Sequence, residues 1–250
     1  MSLPELSLPG RNLWQTTPRL AAAAGATVGS GRTPSGMSYV QAVGDLSHPI
    51  ANYLMVATDG APHDWGAIEA AQGYLYVLLR PGSSLSTAWR EQAHARRWMR
   101  LYRLAQMVHP EPTRTALAWP EVERSDAVRL MMETFFGRHA TEDQAAIAGC
   151  YQRVNMPMVG TVDSLGLAAA AMVSPTEESV GIYNLCVPAS RRRLGHGGSL
   201  VKLILQASGG RPVTLQCEPS LVPWYERFGF RSVDFVEIYA MRPKDKAKVL

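Results

Sequence analysis

The sequence predicts an α/β protein whose helices flank a mixed β-sheet. Short apolar runs rich in β-branched and aromatic residues alternate with segments of helical periodicity along the chain. The composition, 46% hydrophobic and 18% charged, is that of a globular protein with a sizeable core, and 250 residues suffice for one large or two small domains. The proline pair in His109-Pro-Glu-Pro-Thr113 interrupts the alternation and predicts two domains, 1–112 and 113–250.

The first half predicts four strands and two helices. Residues 10–37 are rich in Ala, Gly, Ser, Thr and Pro. For the run Ala21–Gly25 the composition leaves two alternatives, a small helix or a close-packed connector. The strand segments are bounded by Gly, Pro and Asp, and the helical segments start at Asp or Ser residues that can cap them. The predicted strands are 37–43, 52–57, 74–79 and 101–108, and the predicted helices are 64–71 and 84–98.

The second half restarts the alternation after the prolines. A helix over 125–136 is predicted because Ala127, Leu130, Met131 and Thr134 share one face, and a helix over 141–153 because Thr141 opens it with acidic neighbours. Gly209-Gly210 ends a helix over 200–207. The remaining predicted elements are strands over 115–119, 165–173, 179–187, 213–217 and 233–241 and a short helix over 220–228.

Cysteine, charge and hydropathy patterns narrow the functional class. The three cysteines lack metal-ligand spacing, so we expect neither a disulfide framework nor a metal site. No apolar stretch approaches the ~20 residues of a membrane helix, and the start lacks a secretory signal, which favours a cytoplasmic protein without membrane contact. The net charge is a modest +4, and no nucleic-acid motif accompanies the basic clusters, so no nucleic-acid partner is expected.

A basic, glycine-rich turn is the most informative local feature. Residues 191–199 read Arg-Arg-Arg-Leu-Gly-His-Gly-Gly-Ser, and they lie between a predicted strand and a predicted helix. Glycines let the backbone approach a ligand, a helix start presents free N–H groups, and arginine donates to phosphate oxygens. The turn therefore predicts an anion site.

Two motifs together indicate a family. The spacing Arg192-x-x-Gly195-x-Gly197 resembles the acyl-CoA pyrophosphate signature of the GNAT N-acetyltransferases. The later segment Pro223-Trp-Tyr-Glu-Arg-Phe-Gly-Phe230 is similar to the second signature of that superfamily. The resemblance covers about half of the chain and implies the GNAT fold; the first half is similar to the degenerate copy of tandem GNAT proteins, so two GNAT-like domains in tandem are expected.

The resemblance implies a site for acetyl-CoA where the strands 182–187 and 213–217 diverge. For Arg191 two alternatives stay open: it binds the adenosine 3′-phosphate, or it lies on the surface without a role. His196 contributes its amide, and its ring is not expected to act as a base. The main chains of Leu185, Cys186 and Val187 would bind pantetheine, and the pyrophosphate would be held by Arg192, Arg193, Leu194, Gly195, His196, Gly197, Gly198 and Ser199.

The resemblance also implies catalytic roles. Tyr225 occupies the position of a tyrosine that protonates the CoA thiolate, and Asn184 stands where many relatives have a glutamate base. An amide cannot take a proton, so Asn184 is expected to orient a water or the amine, with Glu177, Glu178 or Glu218 completing a route for the proton. A weakly basic acceptor would need no protein base. An acyl-cysteine mechanism through Cys186 or Cys217 is disfavoured because no base accompanies either thiol.

The sequence thus predicts an N-acetyltransferase that moves the acetyl group of acetyl-CoA to a primary amine of a small molecule or peptide. Because of Asn184, an acyl-CoA-binding regulator without turnover is the alternative. A homodimer is compatible with the sequence, and the identity of the acceptor stays open.

Overall fold

A computed structural model describes residues 5–33, 35–46, 48–59, 68, 73–111, 117–137 and 141–241. The chain forms two compact units: the first holds the described residues up to Gln106 and from Val233 onward, and the second runs from Met107 to Ser232. This grouping differs from the single predicted boundary after residue 112, because the last strand pairs with a strand of the first unit. The assignment of 1–112 and 113–250 as domains stays a prediction.

The first unit is built on a run of paired strands with a helix packed against them. Antiparallel pairs join β1 to β2 and β2 to β3, a parallel pair joins β3 to β4, and β10 lies antiparallel to β4. Trp89 is fully buried and packs in a core with Leu54, Val56 and Tyr239. The elements are α1 (Leu8–Ala23), β1 (Thr27–Arg32), β2 (Ser38–Val43), β3 (Tyr53–Thr58), β4 (Gly73–Leu79), α2 (Thr87–Ala95), the start of β5 (Met99–His109) and most of β10 (Arg231–Met241).

The N-terminal segment forms a helix, which is one of the two alternatives that its composition left open. Ser7 caps α1 by accepting a hydrogen bond from the amide of Gly10 at 3.3 Å, and the helix continues to Ala23. Strand β1, which the sequence analysis did not predict, follows directly. The predicted helix over 64–71 lies outside the described residues except for Ile68, which is helical.

The second unit combines helices with a mixed sheet. β6 and β7 are antiparallel, as are β7 and β8, whereas β8 and β9 are parallel. The predicted fold class, α/β with a mixed sheet, is confirmed. The elements are α3 (Arg124–Met131), a π-helical turn (Met132–Phe136), α4 (Thr141–Arg153), β6 (Met158–Asp163), β7 (Gly166–Pro175), β8 (Val180–Cys186), α5 (His196–Ala207), β9 (Val213–Cys217) and α6 (Val222–Glu226).

Three elements of this unit differ from prediction. Strand β6 was not predicted because Gly160 interrupts its pattern; a Cβ there would lie 2.6 Å from the Ala169 carbonyl oxygen, so close strand packing requires glycine. The helix over 125–136 changes to a π-helical turn at Met132. The predicted strand over 115–119 is wrong where the structure describes it, since 117–120 are irregular and only Glu121 bridges to Val159.

Among the residues that the structure describes, no helix is long and apolar enough to cross a membrane. Those residues also contain no group of three or more His, Cys, Asp or Glu side chains that could hold a metal ion.

Candidate functional site

Two parallel strands of the second unit diverge partway along their length. β8 and β9 pair from Val180 with Val213 to Ile182 with Leu215, and the parallel register ends there. β8 continues to Cys186 and remains paired on its other side to β7. In the described structure, no strand pairs with Leu185 and Cys186 on the side where β9 pairs with the beginning of β8. Backbone groups on such an edge can bind an extended ligand as an added strand.

A β-bulge redirects the end of β8. Cys186 pairs with Ala170 and Tyr183 with Met172, so two residues of β8 lie opposite the single residue Ala171. Asn184, the first residue of the bulge, has φ of 51°. Asparagine tolerates this left-handed conformation better than most residues do, and bulges commonly reorient a side chain beside a functional site.

The bulge places Asn184 against a tyrosine that the sequence analysis missed. The Asn184 Nδ2 group donates to the hydroxyl of Tyr151 on α4 at 2.7 Å. Tyr151 is buried, and burial raises the pKa of its hydroxyl, so it stays protonated at neutral pH. Its spacing from Ile147 indicates a core stripe of the helix, and nothing in the sequence distinguishes a functional hydroxyl from a packing one.

α3 holds this tyrosine in place. The Arg124 guanidinium donates to the carbonyl oxygens of Tyr151 at 3.0 Å, Val154 at 3.1 Å and Met156 at 2.8 Å. Carbonyls at the C-terminal end of a helix have no intrahelical partners, so Arg124 satisfies and fixes the end of α4. The position of the Tyr151 hydroxyl is therefore set by a helix end that is itself anchored.

The glycine-rich turn forms the start of α5. Helix α5 begins at His196, four residues before the predicted start, and Gly195 precedes it with φ of 91°. Arg193 also has a positive φ, of 65°. The first intrahelical bond runs from the Ser199 amide to the Gly195 carbonyl at 2.9 Å, so the amides before Ser199 have no acceptor within the helix. Such a helix start is suited to bind an anion.

The two sequence motifs meet in the structure. A Cβ on Gly198 would lie 3.0 Å from the Phe228 ring, and one on Gly197 would lie 3.3 Å from Val187 and 3.7 Å from Trp224. Glycine at both positions thus lets the start of α5 pack against the aromatic segment and the end of β8. The adjacent glycines Gly197 and Gly198 serve packing, whereas Gly195 serves backbone conformation.

Arg191 is neither idle nor directed outward. Its guanidinium donates to the carbonyl oxygens of Leu165 at 2.7 Å, Gly166 at 3.0 Å and Leu167 at 2.8 Å, and it lies 3.2 Å from the Asp163 carboxylate. The suggested contact with an adenosine 3′-phosphate is therefore not supported. Asp163 also lies 3.5 Å from the His196 ring, so one carboxylate ties the β6–β7 turn to the glycine-rich turn.

Tyr225 lies in the short helix α6 and is buried. Its ring centroid is 4.7 Å from that of Trp224 and 5.8 Å from that of Phe230, both edge-on. Burial, and to a smaller extent the neighbouring Cys217, raise the pKa of the Tyr225 hydroxyl. A phenol in this state is neutral at physiological pH and can donate its proton.

The cysteines of the two diverging strands are protonated thiols. Burial raises the pKa of Cys186 to about 12 and that of Cys217 to about 11. The Cys186 thiol lies 3.5 Å from the Ala170 carbonyl, and the Cys217 thiol 3.5 Å from the Met107 sulfur. Because the thiolate is the nucleophile, these contacts argue for packing roles.

The acidic residues considered as partners of Asn184 are not equivalent. Glu177 and Glu178 are exposed in the turn before β8, and Asn184 lies six positions after Glu178 along an extended chain that rises ~3.3 Å per residue. The structure does not bring them together. Glu218 directly follows β9, so it lies at the same edge of the sheet as the end of β8, and it is exposed.

No protein-family model matches the sequence. Solved structures match the fold. A putative acetyltransferase of the GNAT family from Novosphingobium aromaticivorans has 16% identity and a TM-score of 0.56, over 94% of this chain and 97% of its own. A GCN5-related N-acetyltransferase from Kribbella flavida has 12% identity and a TM-score of 0.57, over 98% and 99%. A functionally unknown conserved protein from Staphylococcus epidermidis has 11% identity and a TM-score of 0.64, over 82% and 91%.

The chain therefore has the GNAT fold. The resemblance that the two motifs indicated is confirmed at that level. The assignments of individual site residues stay predictions.

Proposed function

We propose that this chain is an N-acetyltransferase that binds acetyl-CoA in its second unit and transfers the acetyl group to a primary amine. The observation that carries the proposal is the end of the β8–β9 pairing at Ile182 and Leu215, together with the glycine-rich helix start at Gly195 that follows β8. An open strand edge suits the amides of a pantetheine arm, and the helix start suits a pyrophosphate. The two features follow one another along the chain, as the parts of one ligand would require.

The residues present fit acetyl-CoA as a donor. The main-chain groups of Leu185, Cys186 and Val187 would hold the pantetheine arm, although the Val187 carbonyl already accepts from Arg192 Nε at 3.3 Å. The pyrophosphate would be held by amides from Gly195 to Gly198 with the Ser199 hydroxyl beside them, and the exposed side chains of Arg192 and Arg193 add positive charge there. When bound, acetyl-CoA supplies an acetyl group activated as a thioester.

Three residues would serve the transfer itself. The backbone N–H of Cys186 or Val187 would donate to the carbonyl oxygen, which becomes more negative as the amine attacks. Tyr225 would donate its proton to the departing sulfur. Asn184 would accept a hydrogen bond from the amine through its side-chain oxygen, because its nitrogen is already used toward Tyr151.

The first unit lacks the feature that carries the proposal. Its strands β3 and β4 pair over six residues, from Tyr53 with Tyr74 to Thr58 with Leu79. Over the described residues these two strands stay paired, so no gap opens between them for a pantetheine arm. We infer that this unit is a degenerate GNAT copy and that one acetyl-CoA binds per chain.

One observation favours a second candidate function. Asn184 occupies the bulge beside the proposed thioester, and an amide cannot accept a proton. The alternative is therefore an acyl-CoA-binding regulator that does not turn over.

Calorimetric titration with acetyl-CoA, followed by measurement of CoA thiol release with a panel of primary amines, tests both. An N-acetyltransferase binds one acetyl-CoA per chain and releases CoA only when an amine is present. Binding without release for any amine would support the regulator, and the absence of binding would refute both candidates.

A further inference from the structure

The hydrogen bond between Asn184 and Tyr151 leaves each group with unused capacity. The amide uses its nitrogen, so its oxygen remains an acceptor, and the hydroxyl accepts this bond, so its proton remains a donor. Among the described residues, neither the Asn184 oxygen nor the Tyr151 proton has a partner. A buried tyrosine with an unused donor beside a half-buried amide oxygen is a polar site with hydrogen-bonding capacity for a ligand.

Aromatic side chains extend from this pair toward the surface. The Tyr151 ring centroid lies 6.2 Å from that of Phe136, which lies 6.3 Å from that of Phe135. Phe135 is exposed by 45%, although a large aromatic residue is more often buried. Both phenylalanines belong to the π-helical turn, a rare form that is frequent at functional sites.

The same turn lies beside the end of β8. The Thr134 hydroxyl is close enough to the Cys186 thiol to lower its pKa, against the larger effect of burial. The aromatic side chains and the end of β8 thus border one region. We call this region the acceptor site and define it by Phe135, Phe136, Tyr151 and Asn184.

From this geometry we propose that the acceptor is an aromatic amine, whose N–H donates to the Asn184 side-chain oxygen while its ring packs along Tyr151 and Phe136. The inference deepens the proposed function and depends on it. In the reaction, the lone pair of the amine nitrogen forms the C–N bond, the C–S bond breaks, and the electron pair leaves with sulfur. The proton lost by nitrogen balances the one gained by the thiolate, so an amine and a thioester yield an amide and a free thiol.

Neutral groups at the acceptor site favour an amine that is already neutral. At pH 7 an alkylamine of pKa ~10 is uncharged in about one molecule in a thousand, whereas an aromatic amine of pKa roughly 5 is almost fully uncharged. Neither Asn184 nor Tyr151 can remove the extra proton of an alkylammonium ion. An aromatic amine needs no base before it attacks.

Among the described residues, no carboxylate of a neighbouring element is hydrogen-bonded to Asn184 or Tyr151. Asp126 on α3 is half-exposed and lies 2.7 Å from Arg129, and Glu133 and Glu142 are exposed. Glu218 follows β9 and is exposed. The other described ionisable side chains on the elements packed against β8 are Arg124 on α3, Asp143, Cys150 and Arg153 on α4, and Cys217 on β9.

Two isomeric amines provide a matched test. 4-Methylaniline and benzylamine have the same formula and similar size, but their conjugate acids differ in pKa by about 4 units, so their neutral fractions at pH 7 differ widely. We expect kcat/KM at pH 7 to be about tenfold or more higher for 4-methylaniline after allowance for its weaker nucleophilicity. Its kcat/KM should be flat from pH 6 to 8, whereas that of benzylamine should rise about tenfold per unit.

Substitutions separate positioning from structure. Asn184→Asp introduces a base, so the preference for 4-methylaniline should fall by about tenfold or more, and a new pH dependence should appear. Gln206→Glu, the same amide-to-carboxylate change at an exposed position on α5, is the control and should change neither. Tyr151 acts through Asn184 as a positioning residue: Tyr151→Phe should lower kcat for 4-methylaniline by about tenfold, with acetyl-CoA affinity unchanged and KM changed less than kcat. Tyr102→Phe, at an exposed tyrosine, is its control.

The outcomes are distinct. A preference for benzylamine at pH 7, a kcat/KM for 4-methylaniline that climbs with pH, or acetyl-CoA binding without acetylation of either amine would each overturn the acceptor assignment and leave donor binding intact. Failure to bind acetyl-CoA in the calorimeter would overturn the proposed function itself. Unaltered preference in Asn184→Asp would show that this side chain does not face the amine.

Discussion

A substitution at Gly195 tests the role of the glycine-rich turn, because it adds backbone strain without a steric clash. Its φ is 91°, and a Cβ at this position would have no heavy atom within 4 Å. The substitution Gly195→Ala therefore introduces no collision. It places an L-residue in a left-handed conformation, which costs roughly 1–2 kcal/mol.

That strain can be relieved only if the turn leaves its present conformation. Binding of acetyl-CoA would then have to bring the turn back to its present, strained conformation. Since each 1.4 kcal/mol is a tenfold change in affinity, we expect the acetyl-CoA Kd to rise about 5- to 30-fold. The free energy of unfolding should fall by at most the same amount, and the melting temperature by roughly 2–4 °C per kcal/mol.

Gly82 provides the matched control. It follows Pro81 in the turn after β4, its φ is 79°, and a Cβ there would also have no heavy atom within 4 Å. Gly82→Ala carries the same kind of strain in the first unit, whereas the proposed donor site belongs to the second. Calorimetric titration and thermal unfolding of both variants should show similar losses of stability but a weakened Kd only for Gly195→Ala. Equal affinities would refute the assignment of this turn to the pyrophosphate.

Three further predictions test single side chains. Arg191→Met removes a guanidinium bound to three carbonyls, so it should lower the melting temperature. It should also lower the affinities for acetyl-CoA and for its 3′-dephospho analogue by the same factor. A loss of affinity confined to acetyl-CoA would show that Arg191 binds the 3′-phosphate. Tyr225→Phe should lower turnover about 10- to 100-fold with unchanged acetyl-CoA affinity, because only the proton donor is lost; unaltered turnover would make Tyr225 a packing residue. Burial raises the pKa of Asp234 from 3.8 to about 6, an effect that Ser7 and Gln106 only partly offset. Because the folded-state pKa is the higher one, this carboxyl costs stability as the pH rises from about 4 through 6, so Asp234→Asn should add about 1–2 kcal/mol to the free energy of unfolding above pH 7 and nothing below pH 4. Urea unfolding at both values measures this, and an equal gain at both would contradict it.

Local patterns predicted the elements around the donor site. Strand β9 was predicted with the bounds that it has, and β8 and β7 were predicted to within two residues at each end. These strands are buried and apolar, and their ends coincide with glycine, proline or charged residues, which act within a few residues of themselves. The start of α5 was placed too late because glycines are poor helix formers, whereas packing against Phe228 favours them here.

Contacts between distant residues could not be predicted. Asn184 and Tyr151 are 33 positions apart, and the guanidinium of Arg191 reaches carbonyls 24 to 26 positions away. Arg191 was expected either to bind the 3′-phosphate or to lie idle on the surface, and both alternatives treated a loop arginine as solvated. The turn that binds it follows β6, and that strand was itself not predicted.

Gly195 shows what the sequence by itself determined about this protein. A left-handed residue before a helix favours glycine, and an anion needs free amides and arginine nearby. These needs are met within nine consecutive residues, so the chain alone was enough to predict an anion site there. The acceptor site was decided by the tertiary structure, because a bulge in β8 and the anchored end of α4 bring an amide and a hydroxyl together from separate elements. Neither side chain differs in the sequence from one that only packs.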